Sequence, residues 1–360
     1  MFNKRLLKSL SVISVCLAGA SRVVAADYDP PYHNLPPELQ YQVDLAYLLM
    51  DGKITKGRLP TDFTQGHIFP PGKTPLQAES DNKRTLPPFK PFDQLTYLGM
   101  NTVGSWALKT SAGIILFDTL DNTEEAQRII EGGMKQAGLN PADIKYIVIT
   151  HAHGDHYGGA KYLQDKYHPR ILMAPADWSL MARTAAQPPR AGRDPLPAPA
   201  HDMDVTDGQK LTLGNTTLTL YISPGHTPGS LSAIIPVTDH GRPHALAFWG
   251  GTGFPQTIEP TQTTGGLKSY QDEILRFAKN CIDAHVDGII ANHPVADGTV
   301  ENSAIILKRK AGQPNPYVVG TDMVIRYYAA TLAMLHAAIT YREAHPVDTP
   351  AGAPPAGRPN

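Results

Sequence analysis

Apolar and polar residues change their period repeatedly along this chain, and each change marks an element. Short β-like runs at 95–98, 103–109 and 114–118 come first, the last two joined by Thr110-Ser111-Ala112-Gly113. A helical period follows over 123–137. Ala126, Ile129, Ile130 and Met134 form its apolar stripe, Asn122 with Glu125 resembles a capping box, and Gly138 ends it. The apolar run 144–149 predicts a strand, followed by a helix at 159–166 and a strand at 170–174. Beyond these, 211–213 and 217–222 read as a hairpin across Gly214-Asn215. Further strands are expected at 231–237, 245–249 and 288–291, with helices at 270–284 and 322–344. In the first of those helices Ile274, Phe277, Ala278, Cys281 and Ile282 keep helical spacing, which puts Cys281 in the core, and His285 continues the stripe. Strands followed by helices, twice over, predict two sheets face to face with helices outside.

The flanks lack this periodicity. Residues 27–92 are rich in Pro and Gly, interrupted by one short helix at about 38–50, and read as an extension that wraps the domain or serves as a dimer arm. The core domain is expected over 93–345. Residues 346–360 read as a flexible tail. Between 187 and 201 there are five prolines in fifteen residues, a candidate lid or a passive surface loop.

Targeting and charge narrow the setting. Lys4, Arg5 and Lys8 precede a short apolar run at 10–20, and Val24-Ala25-Ala26 resembles a cleavage site, so 1–26 read as a signal peptide. The run is shorter than the roughly 20 residues of a membrane span. Val15 is too large for a lipoprotein signal at Cys16. The expected address is periplasmic or secreted, with no stable membrane anchor after cleavage. Of two cysteines only Cys281 would remain, so no internal disulfide is available. The 32 Lys+Arg against 33 Asp+Glu give a net charge of −1, which offers no electrostatic basis for binding nucleic acid or an anionic membrane. A hydrophobic content of 41% supports a sizeable core.

The chemistry concentrates behind the run 144–149, in Thr150-His151-Ala152-His153-Gly154-Asp155-His156. Three histidines and an aspartate within six residues, at the carboxyl end of a strand, are donors that a borderline ion such as zinc prefers. His151 and His153 can close on one metal, while Asp155 and His156 turn toward a second. His226, in Ser223-Pro224-Gly225-His226-Thr227-Pro228-Gly229, and His293, before Pro294, recur at comparable strand ends. Trp249, Phe254 and Tyr157 lie beside these motifs and read equally as pocket or core. His33, His67, His168, His201, His240, His244, His336 and His345 are read as surface or structural.

At these motifs the chain resembles the metallo-β-lactamase superfamily. The H-x-H-x-D-H stretch is similar to its signature, the Ser223 to Gly229 stretch to its second motif, Asn292-His293-Pro294 to its last ligand, and Asp118 to its early aspartate. The resemblance covers about residues 93–310 and implies an α/β fold, the four-layer αββα sandwich. It implies two Zn2+ per chain, the first held by His151, His153 and His226, the second by Asp155, His156 and His293. Each ion would keep an open position. Ions roughly 3.5–4 Å apart would share a hydroxide of pKa near about 7 that attacks a carbonyl carbon. Asp155 would orient that hydroxide, and Asp118 would support a ligand from behind.

One departure is informative. Most dinuclear hydrolases of the superfamily carry a bridging aspartate between the second motif and the last histidine. Here Phe248-Trp249-Gly250-Gly251-Thr252-Gly253 has no carboxylate. That pattern, with Pro after the last histidine, resembles the third subclass of metallo-β-lactamases, although the extension and the block at 308–344 are additions. The expectation is an exported zinc hydrolase of small molecules acting on a β-lactam amide, with a role in antibiotic resistance. A lactonase or esterase of the same fold is the alternative. A non-catalytic zinc-binding protein is the rival from another class, but none of the six ligands is missing. An iron flavoprotein would carry Glu in place of His153, and the nuclease branches do not fit an exported chain of neutral charge.

Overall fold

A computed structural model describes Leu45 and residues 83–187, 196–252 and 264–344. The signal peptide, most of the extension and its helix (Leu45 apart), residues 188–195 of the Pro-rich loop, Phe254 and the tail lie outside the described residues. Seven strands form the first sheet in chain order: β1 (Phe89–Phe92), β2 (Leu95–Gly99), β3 (Gly104–Thr110), β4 (Gly113–Phe117), β5 (Ile144–Val148), β6 (Arg170–Met173) and β7 (Met203–Asp204). The first four pair antiparallel; β4 to β7 pair parallel. The second sheet has the order β12-β11-β10-β9-β8, built from β8 (Gln209–Leu213), β9 (Thr216–Ile222), β10 (Leu231–Asp239), β11 (Arg242–Trp249) and β12 (Gly288–Ala291). Only β11 and β12 are parallel in it.

The strand sequences explain the layers. Successive side chains point to opposite faces, so a run apolar at every position is buried on both. In β3 and β4, Trp106, Leu108, Ile115 and Phe117 face the other sheet, where they meet Leu220, Ile235, Phe248 and Ile290. Ala107, Ile114 and Leu116 face the other way, toward Ile130, Met134 and Leu163 of helices. On the far side, Ala247, Trp249 and Ile289 of the second sheet pack under α5 (Thr264–Asp283) and α8 (Thr321–Ala344). Three apolar seams between four layers give the αββα sandwich. Helix α8 is apolar enough over Thr321–Thr340 to cross a membrane by composition, but 67% of that window is buried within the domain. Leu45 packs on the same seam, and Cys281 is buried as expected.

The structure departs from the expectations in several places. β1 lies inside the stretch read as extension. Its Pro91 is tolerated because β1 is an edge strand, and the Pro91 carbonyl accepts from Asn315 Nδ2 at 2.7 Å. The helix read over 123–137 is α1, which runs as Thr123–Glu125, a π-helical stretch Ala126–Glu131, then Gly132–Gln136. Buried Glu131 there accepts from Tyr162 and Tyr167 and pairs with Lys166, all on α3 (Ala160–Tyr167). Two short helices flank the metal loop and the last motif, α2 (Gly154–Tyr157) and α6 (Pro294–Asp297). Helices α4 (Pro175–Ala185) and α7 (Thr299–Ile306) were not anticipated either. His285 does not continue the core stripe: the helix ends at Asp283, His285 turns left-handed (φ 51) and is exposed, and Val286 takes the buried place.

Candidate metal centre

All six expected donors converge where the carboxyl ends of β5, β9 and β12 meet. His151, His153, Asp155 and His156 come from the loop after β5 and from α2. His226 comes from the turn after β9, and His293 is the second residue past the end of β12. The turn at His226 is fixed locally, because Ser223 N donates to Ser230 O and Thr227 N to Ser230 Oγ. From the other side, Gly104 N donates to Asn292 O and Trp106 Nε1 to Ala291 O, both 2.8 Å, so β3 of the first sheet holds the His293 turn.

The donors fall into two sets. His226 Nε2 lies 3.1 Å from His151 Nε2 and 3.0 Å from His153 Nδ1. Asp155 Oδ2 lies 3.4 Å from His156 Nε2 and 3.6 Å from His293 Nε2. Within each set the ligand atoms are all within 4.8 Å of one another. A neutral imidazole has one N–H and one lone pair, so three ring nitrogens aimed at a common point cannot satisfy one another. His156 Nε2 is buried without a hydrogen-bond partner. A cation in each set resolves both problems, and the residues fit a metal.

Electrostatics prepare the first set. Burial, reinforced by the neighbouring histidines, holds His151 well below its usual pKa and brings His153 down to about 4. Burial lowers His293 as well, with His156 adding to it. These rings are neutral at pH 7, the state a metal needs. Burial opposes a charge on Asp155, but His156 and His293 outweigh it and hold the carboxyl well below the usual range. Burial likewise opposes a charge on His156, yet Asp155 and Asp118 together pull it up to about 10. Metal entering the second set therefore displaces a proton.

Residues 101–239 match the model of the metallo-β-lactamase superfamily. Over that stretch the chain is similar to the superfamily, and its fold is the one the superfamily uses. Among solved structures, the chain is similar to BJP-1, a subclass B3 metallo-β-lactamase of Bradyrhizobium japonicum. The identity is 26% and the TM-score 0.57, over 69% of this chain and 90% of that one. Among curated relatives it is 29% identical to the probable metallo-hydrolase YqgX of Bacillus subtilis over 151 residues, 41% of this chain and 69% of that protein. It is also 28% identical to the N-acyl homoserine lactonase AttM of Azorhizobium caulinodans, over 36% of this chain and 53% of that protein. A human persulfide dioxygenase, ETHE1, matches at 27% over 32% of this chain and only 35% of its own length.

Buried polar residues behind the donors set this metallo-β-lactamase fold's geometry. Asp118, at the end of β4 with φ 58, accepts from Thr150 N on Oδ1 (2.7 Å) and sits 2.8 Å from His156 Nδ1 through Oδ2. The expected support of a ligand is thus on His156. His293 Nδ1 donates to Thr102 O at 2.8 Å, which leaves its Nε2 facing Asp155. Three residues with no assigned role in the sequence reading belong here. Asp177 of α4 accepts from Ala152 N, Thr227 Oγ1 and Gly229 N, tying the first motif to the second. Asn292 reaches Gly250 O and the hydroxyls of Thr150 and Thr252. Asp297 accepts from Ala291 N and Thr299 N, bracing the His293 turn. Proline at the start of α4 and α6 is the one sequence signal that could have pointed to these helices.

The stretch lacking a bridging carboxylate packs beside the first set. A Cβ placed on Gly251 would lie 3.2 Å from His226 Cβ. Trp249 and Tyr157 are core residues, 4% and 2% exposed, and Trp249 stacks on Tyr270.

Proposed function

We propose that the protein is an exported dinuclear zinc hydrolase that opens the ring amide of a β-lactam. The family supports a hydrolase. The observation that carries the finer reading is the donor set: two groups of three protein ligands, each short of a full shell, with no carboxylate among Gly250, Gly251 and Thr252 to bridge them. The subclass B3 neighbours accord with that pattern. Export is supported by the basic start, short apolar run and small-residue site of residues 1–26.

Bound zinc would supply Lewis acidity toward the carbonyl oxygen and a lowered pKa for water. The chain supplies the rest. Asp155, ionised and a third exposed toward solvent, can accept a proton at its carboxylate from the attacking water. As the C–O bond forms and the ring C–N bond breaks, that proton passes to the departing nitrogen. His156 and His293, held by Asp118 and Thr102, fix the position of Asp155 through the second set.

The test is turnover of penicillins, cephalosporins and carbapenems by zinc-loaded protein, with metal content measured alongside. Two zinc ions per chain are expected, His293→Ala should lose the second more than the first, and chelation should abolish activity. Asp155→Ala should lower kcat by about 10²–10⁴-fold, the usual worth of a positioned acid–base group. No turnover by protein shown to hold two zinc ions would overturn the β-lactamase reading. The likeness to AttM favours a lactonase as the second reading; it predicts turnover of lactones with β-lactams inert.

A further inference from the structure

We propose that Thr150 is a positioning residue that fixes the ring tautomer of His151 and thereby readies the first donor set for a metal. The inference rests on reading that set as a metal site. Thr150 is 1% exposed, and its hydroxyl oxygen meets three groups at once. Asp118 Oδ2 lies at 2.7 Å, Asn292 Nδ2 at 3.1 Å and His151 Nδ1 at 3.2 Å.

A hydroxyl has one hydrogen to give and two lone pairs to receive with. The Asp118 carboxylate only accepts, so it takes the hydrogen. The orientation of the Asn292 amide is fixed independently: its Oδ1 accepts from Thr252 Oγ1 at 2.6 Å and its Nδ2 donates to Gly250 O at 2.9 Å. Nδ2 therefore fills the first lone pair of Thr150. One lone pair remains, and it faces His151 Nδ1. That nitrogen must carry the ring hydrogen, which leaves His151 Nε2 bare where it approaches His226 Nε2. Without the hydroxyl, His151 is free to place its hydrogen on Nε2, pointing into the position a metal needs.

Asp118 Oδ2 performs the same task directly for His156 of the second set. One carboxylate oxygen thus orders a histidine in each set, one by contact and one through Thr150. Thr150→Val keeps the shape of the side chain and removes the hydroxyl, while Thr150→Ser keeps the hydroxyl.

Two readouts test this on the full chain. In ¹⁵N-histidine spectra of metal-free protein, His151 should be protonated on Nδ1 in the wild type and in Thr150→Ser, and should populate the Nε2–H form in Thr150→Val. In zinc competition against a chromophoric chelator, with His226→Ala and His293→Ala marking the two steps, Thr150→Val should weaken the first set by about 10–100-fold. The second set should stay near its wild-type affinity, and Thr150→Ser should restore the first. A wild-type His151 protonated on Nε2 overturns the proposal, as does a folded Thr150→Val with the wild-type tautomer and zinc affinity. If the wild type shows the expected tautomer but takes up no zinc, the ordering by Thr150 stands and the zinc-hydrolase reading falls.

Discussion

Asp177 offers the sharpest test of how the site is held. Its side chain is buried and receives three hydrogen bonds: from Ala152 N at 2.8 Å, Thr227 Oγ1 at 2.6 Å and Gly229 N at 2.7 Å. Ala152 sits between His151 and His153, and Thr227 follows His226, so this one carboxyl sets the spacing of the first donor set. Asp177→Ala removes the acceptor and leaves two backbone N–H groups and a hydroxyl buried. Each orphaned donor costs about 1–3 kcal/mol, and the three relax together, so a loss of roughly 3–6 kcal/mol is expected. Asp177→Asn can keep its oxygen at the Oδ2 position, retaining Ala152 and Thr227, but turns an amide N–H toward Gly229. Its cost should be about 1–3 kcal/mol. Gly229→Ala provides a check from the opposite side, because a Cβ there would lie 2.8 Å from Asp177 N and Oδ1. Urea denaturation of metal-free protein measures the stability term, and zinc competition should show the first set weakened in the order Ala, then Asn. An Asp177→Ala protein within about 1 kcal/mol of wild type, with unchanged zinc affinity, would refute the argument, since surface changes fall in that range and buried ties do not.

Asp297 predicts a pH dependence. Burial, opposed by hydrogen bonds from Thr299 and Ala291, raises its carboxyl from 3.8 to about 7. The folded state then binds the proton more tightly than the unfolded state, so this group's contribution is full at acid pH and is lost as pH rises from about 4 through 7, by something on the order of 4 kcal/mol. The difference in unfolding free energy between wild type and Asp297→Asn, measured from pH 4.5 to 7.5, should carry that slope; a flat difference refutes it. Gly251→Asp should disturb zinc affinity at the first set, next to His226, and leave the protein folded. Gly250→Asp should destabilise it by several kcal/mol, because a Cβ there would lie 2.0 Å from Leu231 O and 2.7 Å from Thr150 Cβ. Equal melting temperatures for the two variants would count against this packing.

Why some features were legible and others not follows from the range of the interactions. Strand β4 and the second half of β11 announce themselves as continuous apolar runs, β5 keeps an apolar pattern around exposed Lys145, and the H-x-H-x-D-H loop places four donors within six residues. His226 and His293 could be added because each follows a strand in a motif of its own. β1 was hidden by Pro87, Pro88 and Pro91, which argue against a strand anywhere but an edge. Helix α4 carries only Trp178 and Met181 as buried apolar positions, too few to show a period. Asp177, Asn292 and Asp297 are single polar letters whose meaning depends on partners the fold brings to them. The Asn292–Thr150 contact, for example, spans 142 positions of sequence.

The placement of the donors on both sheets has a mechanical consequence. The first set takes His151 and His153 from the seven-stranded sheet and His226 from the five-stranded one; the second takes Asp155 and His156 from the former and His293 from the latter. On the metal reading, each ion is a rivet across the seam, and neither half of the sandwich can present a complete set of ligands by itself. Binding that exists only when both sheets are docked adds its free energy to their docking, about 4 kcal/mol when free metal is a thousandfold above the dissociation constant. The melting temperature should therefore climb with free zinc, and a chelator should loosen the joint between the two sheets.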